Sequence, residues 1–365
     1  MRSRSREFGR LIRRRRRHIL AIGFGVAVVV ATFALVLPRV ADYRDVWDVV
    51  RDLSWGWTGA LIAVTVLNLV TYAPPWQAAL PGLRFRQAFV LAQAASASSY
   101  VTPGGGAVGF ALSYALLRRW GFPGRAVTLA VALTGIWNQF AVLGFPIVAV
   151  ALLTLTGGHN ALLQIVASIG LAVFVFAASA FAAGLSFPAL TRWIGDLAAR
   201  LATFGLRIIG RGPVPWTGES FVQFRNHAVG LLRRRWHVLT FATLVGHLTV
   251  FLVLLTCLRA FGVSVDEVSG IEAFAAWALV RLLGSVPITP GGIGIVELGL
   301  TAALVGFGGD NAEVVAAVLV YRFLTIVPTL LCGLLAAATW RRYGRDDEKR
   351  RSADPPMPQT GEEIS

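Results

Sequence analysis

Charge is scarce in this chain: Asp, Glu, Lys and Arg make up 15% of its 365 residues, against 56% hydrophobic residues. A water-soluble domain of that length needs more polar surface to cover its core, which excludes the soluble globular classes. Cysteine is nearly absent. Cys257 and Cys332 lie far apart inside apolar segments, and no CxxC or Cys/His spacing occurs, so disulfide, zinc and redox readings lose their basis. Also missing are a G-x-S-x-G elbow, an HExxH pair, a Walker loop, a Rossmann fingerprint and carboxylate pairs spaced for hydrolysis. The polar loops are too short for a catalytic domain. The expectation is a protein that is not an enzyme and carries no cofactor or metal.

What the chain has is apolar length. Its mean hydropathy is +0.66. Stretches 19–37, 128–155, 161–185 and 238–258 each approach or exceed the roughly 20 residues a helix needs to cross about 30 Å of hydrocarbon. Further spans are expected at about 58–80 and 314–340. The predicted fold is therefore all-α and polytopic, with about six full spans.

Net charge is +15. On a soluble protein that would suggest nucleic acid, but here the basic residues flank apolar stretches, where Arg excess marks the cytoplasmic side. Nine Arg and one acid, Glu7, precede Ile19, so the N-terminus is expected inside, followed by a retained span rather than a cleaved signal. The loop 39–56 balances Arg39, Arg44 and Arg51 against four Asp and carries Trp47, Trp55 and Trp57, as an outer interface would. Arg84, Arg86, Arg118, Arg119 and Arg125, the eight Arg of loop 188–236 and the Arg341–Arg351 group all fall on the inner side of that ledger. The chain is thus expected in the cytoplasmic (inner) membrane with both termini cytoplasmic. Within the long loop, Leu190, Trp193, Leu197, Leu201, Phe204 and Ile208 recur at helical spacing, which predicts an amphipathic interfacial helix over about 189–209. The resulting division is a basic N-terminus 1–18, a membrane domain 19–342, and a disordered cytoplasmic tail 343–365 containing Pro355, Pro356 and Pro358.

Two segments, 88–117 and 273–306, begin and end on one side of the ledger, and each is interrupted by T-P-G-G. One constant register shift carries Thr102, Pro103, Gly104 and Gly105 onto Thr289, Pro290, Gly291 and Gly292. The same shift matches Leu117 to Leu304, Gly121 to Gly308 and Val127 to Val314, which indicates an internal repeat with halves of about 58–156 and 238–340. Pro lacks an N–H and tandem Gly costs about 1 kcal/mol each in a helix, so an apolar helix stops there. Non-helical backbone at membrane depth needs protein or a wet cavity around it. The first hairpin has its ends inside and the second outside, so the expected arrangement is an inverted repeat of two re-entrant hairpins, with polar groups gathered between them.

Three ionisable residues lie within apolar segments, Arg281, Glu297 and Arg322, all around the second break. A charge in a span costs about 2.5–3.5 kcal/mol even on the mildest scale, so these residues are expected to face protein or water and to pair. They form either a packing salt-bridge cluster or a site in which Arg holds an anionic head group, with Glu297 setting its position or relaying a proton. Freed N–H groups after Pro290 would add an anion site at a half-helix N-terminus. The first break offers only Gln93, Ser96, Ser98, Ser99, Tyr100, Asn138 and Gln139, with Phe110 standing where the second has Glu297. His247 reads as a hydrogen-bonded packing residue. The candidate substrate-binding set is Thr102, Pro103, Gly104, Gly105, Arg281, Thr289, Pro290, Gly291, Gly292, Gly294, Glu297 and Arg322.

The run Pro287-Ile288-Thr289-Pro290-Gly291-Gly292-Ile293-Gly294 with Glu297, the Gly306/Gly308 turn, and Tyr321-Arg322 with Pro328 and Gly333 resemble the lysylphosphatidylglycerol synthase transmembrane-region family, also called the flippase-like domain family. The resemblance covers about residues 20–342 and carries the motif roles onto Pro290, Gly291, Gly292, Gly294, Glu297 and Arg322. It implies a membrane domain that moves lipids, such as aminoacylated phosphatidylglycerol, between leaflets. Some relatives bear a large soluble aminoacyl-transferase domain at the C-terminus; here a short polar stretch follows Trp340, so lipid aminoacylation is not expected. The expected function is a lipid translocase whose partners are membrane lipids with anionic head groups and, beyond them, a homo-oligomer or a lipid-synthesis enzyme. The alternatives are a membrane-embedded enzyme or accessory subunit of a lipid-carrier or glycolipid pathway, and an ion-coupled small-solute transporter.

Overall fold

A backbone in hydrocarbon has no water to bond, so a helix, which satisfies its own N–H and C=O groups, is the available solution. The computed structural model describes residues 51, 53–102, 105–155, 161–208, 212–214, 216–285 and 289–353, and every regular element among them is helical. Five segments are long and apolar enough to cross a membrane: Trp55–Ala79, Gly124–Leu155, Ser168–Ser186, Gly218–Ala260 and Asn311–Ala336. They coincide with five of the six expected spans. The remaining expected span, 19–37, lies outside the described residues.

In chain order the helices are α1 (Trp55–Thr71), α2 (Pro74–Ala79), α3 (Phe85–Val101), α4 (Gly105–Arg119), α5 (Gly124–Leu155), α6 (Ala161–Ser186), α7 (Pro188–Ile208), α8 (Gly218–Ala260), α9 (Gly270–Gly284), α10 (Ile295–Phe307) and α11 (Asn311–Ala353). Local chemistry sets their ends. Ser54 accepts a hydrogen bond from the Trp57 N–H to start α1, and Pro74 opens α2 where its missing N–H costs nothing. Ser269 and Glu272 form a reciprocal capping box at the start of α9. The hairpin arms α3, α4, α9 and α10 have 17, 15, 15 and 13 residues, which at about 1.5 Å per residue is less than the thickness of the hydrocarbon core.

Packing between the halves is reciprocal. Arm α3 of the first hairpin lies along α11, the helix that follows the second hairpin, and arm α9 of the second lies along α5, the helix that follows the first. Gly333 on α11 permits the first contact: a Cβ there would collide with Ala97 on α3. The long helices α5 and α8 each run through two separate apolar cores. One core takes Val127–Leu133 of α5 with Ala228–Leu239 of α8, the other Ala141–Leu153 with Val250–Leu258. Between those cores both helices turn polar or small, at Thr134, Gly135 and Asn138 on α5 and at Thr243, Gly246 and His247 on α8. The interior cavities lie there.

Helix α7 exposes Trp193, Leu201 and Phe204, each more than 60% accessible, on one face. The opposite side meets α8, where Asp196 accepts from the Gly218 N–H at 2.8 Å and Arg192 pairs with Glu219 at 2.9 Å. An apolar face turned outward suits a helix lying at a lipid interface. Helix α11 continues to Ala353, past the expected start of the tail at 343. Residues 354–365 lie outside the described residues.

Candidate functional site

After α9 ends, the chain forms a short 3-10 turn at Pro290–Gly292 before α10 begins. Gly291, Gly292 and Gly294 have φ of +61°, +67° and +84°, a region that side chains with a Cβ rarely adopt. Space forbids a side chain as well. A Cβ on Gly291 would stand 2.5 Å from Cδ1 of Tyr100, the residue just before the Val101-Thr102 entry to the first break. The two breaks therefore approach each other inside the protein, with α3 packed on the Pro290–Gly292 turn.

Glu297 is the third residue of α10 and reaches back to accept the Gly294 N–H at 2.7 Å. Its other oxygen accepts from Arg322 Nε on α11 at 2.6 Å, and Arg322 Nη2 donates to the Gly291 carbonyl at 2.9 Å. One arginine thus ties α11 to both sides of the break. Glu297 is 2% exposed and Arg322 6%, so the pair is buried and each charge depends on the other. The expectation that freed N–H groups leave an open anion site is corrected at Gly294, whose N–H is taken by the protein's own carboxylate.

Arg281, in the last turn of α9, has no carboxylate partner among the described residues. Its Nη2 donates to Nδ1 of His247 at 2.8 Å, and its guanidinium carbon lies 5.4 Å from the Trp277 ring centre. Arginine has no acceptor, so Nδ1 must accept and the His247 proton belongs on Nε2. Arg281 Nε is buried with no hydrogen-bond partner among the described residues. His247 is therefore more than a packing residue: it positions Arg281, some 34 positions away in sequence. No periodic signal links the two. The one clue was a polar ring in an otherwise apolar span.

Arg281 and Arg322 both line a cavity of about 310 Å³, with Tyr100, Asn138, Trp277 and Tyr321 among its walls. The site thus draws on both halves. Of the sequence-derived candidates, Arg281, Gly291 and Arg322 line this cavity, while Glu297 and Gly294 brace it from behind. Thr289 is half-buried, and its hydroxyl oxygen has no partner among the described residues. Tyr100, already among the polar candidates of the first break, and Tyr321, next to Arg322 in the family-like run, both line the cavity; Trp277 was missed, because nothing in its spacing separates it from a core aromatic.

The first break is uncharged. Thr102 donates to the Ser98 carbonyl at 2.7 Å, and the Ser99 hydroxyl bridges the carbonyls of Ala95 and Gly105, both at 3.1 Å. A Cβ on Gly105 would fall on the Ser99 backbone, so that glycine closes the hairpin. Pro103 and Gly104 lie outside the described residues. The repeat register places Phe110 opposite Glu297 and Gly135 opposite Arg322. The Phe110 ring packs on Gly135, where a Cβ would come within 2.9 Å of Cζ. One half thus fills these two positions with an ion pair and the other with a ring on a glycine.

No curated protein matches the sequence. The family model described as the lysylphosphatidylglycerol synthase TM region matches residues 20–333, and the chain belongs to that family.

Proposed function

We propose that the protein translocates a lipid with an anionic head group between the leaflets of the cytoplasmic membrane, with both termini on the cytoplasmic side. The observation that carries this reading is Arg281. A cation placed inside a helical bundle costs several kcal/mol unless something compensates it. Among the described residues no carboxylate does, and its Nε–H is left without a partner beside a cavity. A phosphodiester supplies both the missing charge and the missing acceptor. Arg322 adds a second donor: its Nε and Nη2 are held by Glu297 and Gly291, and Nη1 has no hydrogen-bond partner among the described residues. Acyl chains would stay in the bilayer while the head group passes between the hairpins. No bond is broken in this scheme, and Glu297, engaged on both oxygens, serves as a positioning residue.

Reconstitution of the purified chain into vesicles tests this. Head-group-labelled phosphatidylglycerol, phosphatidate and phosphatidylethanolamine are followed from the inner to the outer leaflet. The proposal expects at least one anionic lipid to move several-fold faster than in protein-free vesicles. Rates equal to protein-free vesicles for all three would overturn it.

A further inference from the structure

A second cavity of about 250 Å³ adjoins the cationic one. Ser99 and Asn138 line both, and His247, which holds Arg281, belongs to its wall. The repeat register relates the two cavities. Gly109, Ser113, Thr134 and Gly135 line this one, and their counterparts Val296, Leu300, Tyr321 and Arg322 line the other. Each half of the chain therefore contributes the same four positions to its own chamber, but with different chemistry.

In the second chamber that chemistry is neutral and rich in acceptors. The hydroxyls of Ser113, Thr134 and Thr243 donate to the carbonyls of Gly109, Ala130 and Leu239 at 2.7–2.8 Å. Ser99 does the same toward Ala95 and Gly105. A hydroxyl has one proton, so with those protons committed the oxygens present lone pairs. A phosphate, which has only acceptors, finds few donors there, the His247 Nε2–H and the Asn138 amide among them. A group that both donates and accepts hydrogen bonds gains most. The candidate donors are a hydroxyl or an ammonium, and the charges nearby decide between them. Among the described residues no carboxylate lines the chamber, and the Arg281 guanidinium stands behind His247 in its wall, which disfavours a second cation. Trp76, Tyr72 and Phe110 supply the apolar faces that the C–H side of a polyol needs.

We infer that the second chamber is a subsite for an uncharged polyol, so that the two chambers together take a lipid whose phosphodiester sits at Arg281 and Arg322 and whose hydroxylated end group lies among the first half's hydroxyls. This rests on the lipid-binding reading above and adds the class of head group.

Affinity measurements on the full-length detergent-solubilised chain test it, using phosphatidylinositol, phosphatidylglycerol, phosphatidate, phosphatidylethanolamine and soluble inositol 1-phosphate. Wild type is expected to bind phosphatidylinositol and phosphatidylglycerol roughly tenfold more tightly than phosphatidate, the worth of one or two hydrogen bonds. Phosphatidylethanolamine should show no such gain, and the soluble phosphate should bind more weakly than its lipid. Gly106→Leu, at a lining position where a Cβ meets nothing within 4 Å, should remove the preference for the polyol lipids. Ser96→Leu, a second lining position, provides an independent filling of the same space. Equal affinity for phosphatidate and the polyol lipids, a preference for the ethanolamine lipid, a preference that survives both fillings, or a soluble phosphate that matches its lipid would each overturn the subsite while leaving anionic-lipid binding in place. Binding of none of these lipids would overturn both readings.

Discussion

At the scale of single residues, two buried charges, Glu297 and Arg322, and a half-buried third, Arg281, have unequal partners. Glu297 and Arg322 satisfy each other and the break around them, so removing one strands the other. Glu297→Gln is expected to destabilise the solubilised protein by about 3–5 kcal/mol. A cycle with Arg322→Gln should show the double variant losing less than the sum of the two singles, read from thermal unfolding of all four forms. Additive losses would mean that the pair is not coupled. Arg281 differs because its partner is an imidazole: His247→Ala should leave the fold largely intact while loosening Arg281, and its effect should appear in lipid affinity before stability. The sequence exposed these charges because a charge in an apolar run is conspicuous. It did not expose His247 as a partner, since a lone histidine in a span looks the same whether or not an arginine reaches it. Nor did it show that Glu297 would occupy the helix N-terminus that the break creates, because that depends on which way one side chain turns.

At the scale of elements, T-P-G-G was legible as a break because proline and tandem glycine cannot continue an apolar helix. Tertiary approach was not. The collision that would follow a side chain at Gly291 is with Tyr100, from the other half of the chain. Gly291→Ala should therefore cost both positive-φ strain and a clash, about 1–3 kcal/mol together, visible as a lower unfolding temperature. A loss confined to that expected from φ alone would show that Tyr100 yields freely. Gly333→Leu should be costlier, since it drives into Ala97 at the α3–α11 contact and overpacking is poorly relieved between helices.

At the scale of the molecule, the repeat seen in one motif becomes an exchange of partners, with α3 on α11 and α9 on α5, and two related chambers that share Ser99 and Asn138. Sequence identity between the halves indicated kinship but could not show that each hairpin docks against the other half's long helix. The inverted arrangement carries its own prediction. Arg125→Cys and Asp266→Cys, both at exposed positions flanking the hairpins, should react with an impermeant thiol reagent from opposite faces of oriented vesicles. Labelling from one face alone would require parallel hairpins. The central claim, that an anionic head group is held by the unpaired arginine on its way across, is tested most directly by leaflet-to-leaflet movement of labelled phosphatidylglycerol in vesicles bearing wild type, Arg281→Lys or Arg281→Ala. The account predicts transport by wild type, partial activity for the lysine variant, and a loss of about tenfold or more for the alanine variant at equal folded protein, the worth of one charge-assisted hydrogen bond. Alanine at Arg281 with wild-type transport would contradict it.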